Sequence, residues 1–245
     1  MLTPSSNTVL EPMMAAMVAD LDGVSVHFSR FRVTEIALSD QALGQFAPDG
    51  MVAAAELLAH AKVDVIAWNG TSAGWLGFAQ DERLCAAITA ATGIPAGTSV
   101  LAFREVFELT GARRIGLVTP YTADVQARIM ANWAAAGFPC TAERALNLRD
   151  NFSFAEVDEA TIAGLVREVV AEGCDAVAIV CTNMRGARIA ADLERELGVP
   201  VYDSIAVTLW QSLRLIGADP LSLKSWGRLF HDAAAKPAEA AAAAL

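Results

Sequence analysis

The fold is decided by two stretches, Asp64-Val-Ile-Ala-Trp-Asn-Gly-Thr-Ser72 and Asp175-Ala-Val-Ala-Ile-Val-Cys-Thr-Asn183. Each begins with an acidic residue, continues through a short apolar run and ends in polar residues. A short apolar run bounded by turn-forming residues is typical of a strand buried on both faces of a parallel sheet. Because the whole pattern occurs twice, the sequence predicts two copies of one structural unit.

Two further pairs of segments repeat in the same order around these strands. Leu2-Thr-Pro4 is echoed by Val118-Thr-Pro120. Gly93-Ile-Pro-Ala-Gly-Thr-Ser99 is echoed by Gly198-Val-Pro-Val-Tyr-Asp-Ser204. Three echoes at a nearly constant offset are hard to obtain by chance, so we expect two lobes with the same architecture.

Strand-like apolar runs alternate with longer amphipathic segments along the chain. The predicted strands are Val24–Val33, Val63–Trp68, Ile94–Thr98, Arg114–Thr119, Ala176–Val180 and Val199–Asp203. The predicted helices are Val52–Ala61, Ala79–Thr92, Val125–Ala136, Ala160–Glu172 and Ala187–Leu197. This alternation predicts an α/β fold of two pseudosymmetric lobes, each a parallel, flavodoxin-like sheet flanked by helices, with the active site between them. We expect residues 1–105 plus 206–245 to form the first lobe and residues 106–205 the second.

Composition and charge exclude several classes of protein. The chain has 245 residues, a formal net charge of −10 and no cluster of Lys or Arg, so nucleic acid is not an expected partner. No stretch approaches the roughly eighteen uninterrupted apolar residues of a membrane span, and the start lacks the features of a signal peptide. We expect a cytoplasmic protein with no membrane partner. The alanine-rich segment 234–245 is expected to be a helical or frayed extension outside the functional site.

Cysteine and histidine usage argues against disulfides and metal sites. The four cysteines form no CxxC pair, and the three histidines are scattered. Three cysteines lie in segments typical of helices or strand edges, and we expect them to be structural: Cys85, Cys140 and Cys174. Cys181 differs, because it follows a strand and precedes a helix start.

Polar residues follow the repeated strands at the points where ligands bind in open parallel sheets. They belong to four loops: Pro4-Ser-Ser-Asn-Thr8, Asn69-Gly-Thr-Ser72, Pro120-Tyr-Thr122 and Cys181-Thr-Asn183. If the lobes face each other about a pseudo-twofold axis, these loops converge on one cleft. Each also has a structural interpretation, since hydroxyl and amide side chains in such turns commonly cap helices.

Cys181 is the candidate catalytic residue. A cytosolic cysteine is most often a small buried hydrophobe, but a position between a strand end and a helix start favours a functional role. Helix-terminal amides are expected to stabilise its thiolate and lower its pKa. The tryptophans are expected in the core, with Trp75 the one exception because it follows Gly70-Thr-Ser72 closely.

These residues resemble a known family. Pro4-Ser-Ser-Asn-Thr-Val-Leu-Glu-Pro12 is similar to the opening motif of maleate cis–trans isomerases, in the aspartate/glutamate racemase superfamily. The resemblance continues through Thr119-Pro-Tyr121, Asp150-Asn151 and Cys181-Thr-Asn183, and it covers the chain to about Asp232. Arylmalonate decarboxylases belong to the same branch. The resemblance implies chemistry at the carbon next to a carboxylate, without a cofactor or metal, and self-association is a possibility.

One departure from the family pattern bears on mechanism. Racemases and isomerases of the superfamily carry one cysteine in each lobe; the second is Cys181, and the first would fall at Gly70. Arylmalonate decarboxylases instead resemble this chain, with Gly-Thr-Ser at that place and only the second-lobe cysteine. A cysteine introduced at Gly70 is therefore expected to face Cys181 across the substrate and to add racemase activity.

The resemblance also implies roles for the loop residues. Thr71, Ser72 and Tyr121 would bind one carboxylate while Cys181 protonates the carbanion or enediolate. The full set of predicted substrate-binding residues is Ser6, Asn7, Gly70, Thr71, Ser72, Tyr121, Asn151 and Thr182. Decarboxylation of a substituted malonate is the leading hypothesis. Isomerisation or racemisation without the first cysteine, and noncatalytic binding of a small carboxylate or dicarboxylate, remain alternatives.

Overall fold

Eight short strands form two four-stranded parallel sheets in the computed structural model, which describes residues 1–19 and 21–233. The first sheet contains β1 (Leu2–Pro4), β2 (Ser29–Phe31), β3 (Ile66–Trp68) and β4 (Ala96–Thr98). The second contains β5 (Ile115–Thr119), β6 (Cys140–Ala145), β7 (Ala176–Ile179) and β8 (Val201–Asp203). Their strand orders, β2-β1-β3-β4 and β6-β5-β7-β8, are the same, which confirms the predicted pseudosymmetric α/β fold. The extension predicted over 234–245 lies outside the described residues.

Helices connect the strands and cover the sheets. Those around the first sheet are α1 (Leu10–Val18), α2 (Asp40–Gly44), α3 (Pro48–Ala59), α4 (Ala73–Leu76), α5 (Phe78–Thr92) and α6 (Ser99–Thr110). Those that follow are α7 (Ala123–Ala135), α8 (Glu159–Glu172), α9 (Gly186–Leu197), α10 (Ser204–Leu215) and α11 (Leu229–Asp232), with two 3₁₀ helices at Ser153–Glu156 and Pro220–Trp226. The five predicted helices correspond to α3, α5, α7, α8 and α9.

The repeated segments Gly93–Ser99 and Gly198–Ser204 each contain the end of a helix, a strand and the start of the next helix. Gly93 and Gly198 end α5 and α9 with φ angles of 71° and 72°, in the left-handed region that only glycine adopts freely. After the strand, the Thr98 hydroxyl accepts the N–H of Leu101 and caps α6. Asp203 caps α10 in the same way. The same local chemistry therefore builds the same turn in both lobes.

Two strands differ most from the predictions, and the other predicted strands differ by three residues or fewer at their ends. β6 was not predicted, because Cys140–Ala145 is a half-exposed edge strand that contains the charged pair Glu143-Arg144 and lacks an apolar run. β2 is shorter than the predicted Val24–Val33, because its ladder pairs only with β1, from Leu2 opposite Ser29 onward. Both differences depend on hydrogen bonds to a neighbouring strand, which the local sequence pattern does not contain.

Helix α10 returns the chain to the first sheet. It packs against α6 and β4, and also against β8 and α9, so every residue from Ser204 to Leu213 is buried. The division of the chain at residues 105 and 206 stays a prediction. None of the helices within the described residues is long and apolar enough to cross a membrane.

Candidate active site

The loops that follow β1, β3, β5 and β7 enclose one small cavity between the two sheets. Its lining residues are Pro4, Val33, Ile36, Phe46, Trp68, Gly70, Thr71, Ser72, Trp75, Tyr121, Asn151, Cys181 and Thr182. The cavity has a volume of about 20 Å³, which is space for about one water molecule. The predicted convergence of the four loops is therefore present, around a cavity of small volume.

Cys181 is buried at the second-lobe side of this cavity, with 2 % of its surface exposed. The N–H of Asn183 donates to its Sγ atom at 3.3 Å, as expected for a strand-to-helix loop. Burial nevertheless raises the pKa of the thiol from 9.0 to about 12, and the charge of Asp203 adds to this increase. The prediction of a lowered pKa is therefore wrong, because removal of the thiolate from water outweighs the nearby hydrogen-bond donors.

Tyr121 connects the two lobes at the cavity. Its hydroxyl is hydrogen-bonded to the Thr71 hydroxyl at 2.6 Å, where either group can donate. It also lies near enough to Cys181 for a hydrogen bond that lowers the pKa of the thiol. Burial raises the pKa of Tyr121 well above 10.0, so the phenol is neutral and can serve as a donor.

Gly70 and Ser72 are in contact with the indole of Trp68. The indole Nε1–H donates to the Ser72 hydroxyl at 3.2 Å, which leaves the serine proton available to a ligand. A Cβ atom added at Gly70 would lie 2.1 Å from Cζ2 of the same indole. A side chain at position 70 is thus incompatible with the position of the Trp68 ring.

Asn7 lies beside the cavity and is not among its lining residues. Its Nδ2 donates to the backbone and hydroxyl oxygens of Thr182, at 3.0 and 3.2 Å. Its Oδ1 accepts the N–H groups of Val9 and Leu10 at the start of α1, at 3.0 and 2.9 Å. The Nδ2 end of the amide joins the lobes, the Oδ1 end binds the start of α1 in its own lobe, and a direct contact with substrate stays a prediction.

Ser6 also lies outside the lining and supports Asn151, which lies within it. The Ser6 hydroxyl donates to the carbonyl of Val33 at 2.6 Å and accepts from Asn151 Nδ2 at 2.8 Å. Asn151 is therefore held in place by the first lobe although it belongs to the second. Its side-chain carbonyl is the part that a ligand donor can reach.

Sequence reasoning gave no role to Asn183, which joins the two lobes. Its Oδ1 accepts the backbone N–H groups of Thr8 and Val9, at 3.0 and 3.2 Å. Its Nδ2 donates to the carbonyl of Asn151 at 2.5 Å. The available signal was its position directly after Cys181-Thr182, at the sheet edge where the loops meet.

A short antiparallel bridge lies beside the cavity, with Ile36 and Asn151 in the cavity lining. Ile36 N–H donates to the carbonyl of Arg149 at 2.9 Å, and Asn151 N–H donates to the carbonyl of Thr34 at 3.0 Å. These bonds join a first-lobe loop to a second-lobe loop. Since a small dicarboxylate is several times larger than a water molecule, this segment or the cavity's aromatic side chains must move before such a ligand enters.

Aromatic rings form much of the cavity wall. Trp75 packs edge-on against Phe46 and Tyr121, with ring centroids 5.7 and 5.3 Å apart, and Tyr121 packs against Phe154 at 5.6 Å. Trp75 thus lies at the site, as its place in the sequence suggested, whereas Trp133 is in the core. The buried Nε1–H of Trp75 has no hydrogen-bond partner among the residues described. The wall therefore combines aromatic surface with a buried N–H that has no partner among the described residues.

A second cavity, of about 180 Å³, lies at the amino ends of β1 and β3 and is bordered by Met1, Lys62 and Leu213. It contains none of the residues that lie around Cys181. Ligands of parallel sheets bind at the carboxyl ends of the strands, so we assign the site to the smaller cavity. Within residues 1–19 and 21–233, no three His, Cys, Asp or Glu side chains are grouped so as to hold a metal ion.

Comparison with known proteins places the chain in a family. A sequence profile of arylmalonate decarboxylase matches residues 23–230. The arylmalonate decarboxylase of Bordetella bronchiseptica is 30% identical over 240 residues, which cover 94% of this chain and 98% of that protein. A maleate isomerase of Pseudomonas putida is 28% identical over 232 residues, which cover 90% and 92% of the two chains.

A solved structure shows the same fold. The maleate cis–trans isomerase of Nocardia farcinica bound to TRIS superposes with a TM-score of 0.85 at 24% identity, covering 94% of this chain and 95% of that one. The profile match spans most of the chain, and the relatives are a lyase and an isomerase that work without a cofactor. The chain therefore belongs to the arylmalonate decarboxylase family and is a cofactor-independent lyase or isomerase of the aspartate/glutamate racemase superfamily.

Proposed function

We propose that this enzyme decarboxylates a substituted malonate and that Cys181 protonates the resulting carbanion. The observation that carries the proposal is the pairing of a buried thiol at Cys181 with a glycine at the equivalent position of the first lobe, Gly70. One lobe can supply a proton, and the other cannot. A reaction that needs a single proton on one face of the substrate fits this arrangement.

The protonation state of Cys181 favours a proton donor over a nucleophile. With the pKa of the thiol raised to about 12 by burial, the group holds its proton at neutral pH. A dianionic substrate beside it would raise the pKa further, because a second negative charge disfavours the thiolate. An enediolate is a much stronger base than a thiolate, so transfer of the proton to carbon remains favourable.

The reaction balances with the residues present. The bond between the α-carbon and one carboxylate breaks, its electron pair stays on the α-carbon as an enediolate, and carbon dioxide leaves. The S–H bond of Cys181 then breaks and its proton forms the new C–H bond. Solvent returns a proton to the thiolate before the next turnover.

Neutral donors would hold the carboxylate that remains. The hydroxyls of Thr71, Ser72 and Tyr121 line the cavity beside Cys181. The Thr71–Tyr121 bond would be exchanged for bonds to the ligand, and the serine proton is already free of a protein acceptor. Preorganised donors of this kind stabilise the charge that develops on the enediolate.

The apolar side chains of the cavity lining are suited to the carboxylate that leaves. Val33, Ile36 and Phe46 present apolar atoms to the cavity. A carboxylate placed against such a surface is poorly solvated, and its loss as neutral carbon dioxide relieves that cost. We propose that Asn151 and Thr182 contact the substrate, and that Ser6 and Asn7 hold these two residues in position.

Isomerisation of maleate is the second candidate, because one maleate isomerase is 28% identical over 90% of this chain. Addition of a thiolate to the double bond would have to use Cys181, whose raised pKa opposes it. A noncatalytic carboxylate-binding protein is disfavoured by the match to enzymes along almost the whole chain.

A substrate screen in deuterated water tests the proposal. Aryl- and alkyl-substituted malonates and maleate are incubated with wild type, Cys181→Ala and the matched control Cys174→Ala, and products are followed by NMR. We expect carbon dioxide release with one deuterium at the α-carbon, retained in Cys174→Ala and reduced at least about a hundredfold in Cys181→Ala. Formation of fumarate from maleate without malonate turnover would instead establish the isomerase, and thermal stabilisation without turnover would establish a binding protein.

A further inference from the structure

We infer that Trp68 excludes a catalytic side chain from the first-lobe position at Gly70, so that proton transfer is confined to the Cys181 side of the cavity. This inference rests on the proposed function and concerns the cavity face opposite Cys181. Gly70 and Cys181 are equivalent in the sequence repeat, each following a central strand of its sheet. Both line the same cavity, from its two sides.

The indole of Trp68 covers Gly70 closely. A Cβ atom at Gly70 would meet Cζ2, Cη2 and Cε2 of that ring at 2.1, 2.3 and 2.5 Å. Real Cβ atoms essentially never lie within 3.0 Å of another group, and all three of these contacts are with one side chain. The backbone at Gly70 thus leaves no room for a thiol while the indole stays in this position.

Contacts on its other sides hold the indole there. Its N–H donates to Ser72 at 3.2 Å, and its ring packs on Phe31 and Phe46 with centroids 5.0 and 6.5 Å away. Only 1 % of Trp68 is exposed. Rotation of the ring would break a buried hydrogen bond and open a cavity, so its position is well determined.

The covered face has no thiol to exchange protons with a carbanion, and the hydroxyls of Thr71 and Ser72 beside it are assigned to the carboxylate. The ring carbons of Trp68 carry no titratable proton, and the indole N–H is already donated to Ser72. Protonation then proceeds from the Cys181 side only. A prochiral malonate would give one enantiomer, and the product would not be racemised.

The expectation for a cysteine at Gly70 is revised accordingly. Gly70→Cys alone is expected to disturb Trp68 and to add no racemisation. The double variant Gly70→Cys/Trp68→Leu provides the space and is expected to racemise a single-enantiomer product at a rate at least about tenfold above either single variant. Chiral chromatography of the product, with α-hydrogen exchange in deuterated water, measures both effects.

A double-mutant cycle on the melting temperature tests the contact between Gly70 and Trp68 without an activity measurement. Gly70→Ala is expected to lower the melting temperature by at least about 4 °C when Trp68 is present. In the Trp68→Leu background the same change should shift it by no more than about 1 °C. Gly164→Ala is the control, because a Cβ there meets nothing within 4 Å and should behave alike in both backgrounds.

The outcomes separate this inference from the proposed function. Additive melting temperatures in the cycle, or racemisation by Gly70→Cys alone equal to that of the double variant, would overturn the role of Trp68. Failure of wild type to decarboxylate any malonate would overturn the proposed function and with it the stereochemical role. Coupled melting temperatures would still support the occupation of the Gly70 position by the indole.

Discussion

The Cys181 thiol is expected to react with iodoacetamide about a thousand times more slowly at pH 8 than an ordinary cysteine, from its pKa alone. Only the thiolate is nucleophilic. Burial raises the pKa of this group from 9.0 to about 12. At pH 8 the thiolate fraction therefore falls from about one in ten to about one in ten thousand.

The pH dependence separates the effect of the pKa from that of restricted access. Restricted access slows alkylation by the same factor at every pH, whereas a thiol with a pKa of about 12 reacts about tenfold faster for each unit of pH up to pH 10. The assay follows alkylation by mass spectrometry in a variant that retains Cys181 and replaces Cys85, Cys140 and Cys174 with alanine. The same variant in urea provides the reference for an accessible thiol.

A plateau in the rate between pH 7 and 9 would refute this reasoning. It would mean that the thiol is already ionised near neutral pH, so that the N–H of Asn183 and the hydroxyl of Tyr121 outweigh burial. Cys181 would then be better suited to nucleophilic addition, and the isomerase would become the leading candidate.

Two further predictions concern stability and are checked by urea unfolding. Asp81 is 1 % exposed, and burial raises its pKa from 3.8 to about 7. Because the unfolded chain ionises this group at lower pH than the folded protein does, about 4 kcal/mol of stability should be lost as pH rises from about 4 to 7. Asp81→Asn should reduce the pH-dependent loss by this amount and leave the part due to Asp203, whose pKa burial also raises to about 7; an unchanged pH dependence contradicts it. Asn183→Ala leaves the N–H of Thr8 without its acceptor and the carbonyl of Asn151 without its side-chain donor, whereas the Val9 N–H keeps Asn7 Oδ1, and it should cost about 3 kcal/mol; a cost below about 1 kcal/mol contradicts it.

Much of the fold was predictable because short sequence patterns identify individual strands and their repetition. The run before Cys181 and its echo before Gly70 identify strands buried on both faces, and the order of the repeated segments implies two equivalent sheets. Polar residues after those strands identify the site, because parallel strands end at one edge. β6 was missed because an exposed edge strand has no distinctive apolar run.

Contacts between residues far apart in the chain decided the rest. The sequence by itself determined that a thiol follows one strand and a glycine the equivalent strand. Only the tertiary structure decided that burial keeps this thiol protonated, and that Asn183 is used to join the lobes across 175 residues. It also decided that the ring of Trp68 lies over Gly70. Burial and side-chain direction depend on everything that packs around a residue. A local sequence pattern can therefore locate a site without determining the protonation state of its thiol or the shape of its cavity.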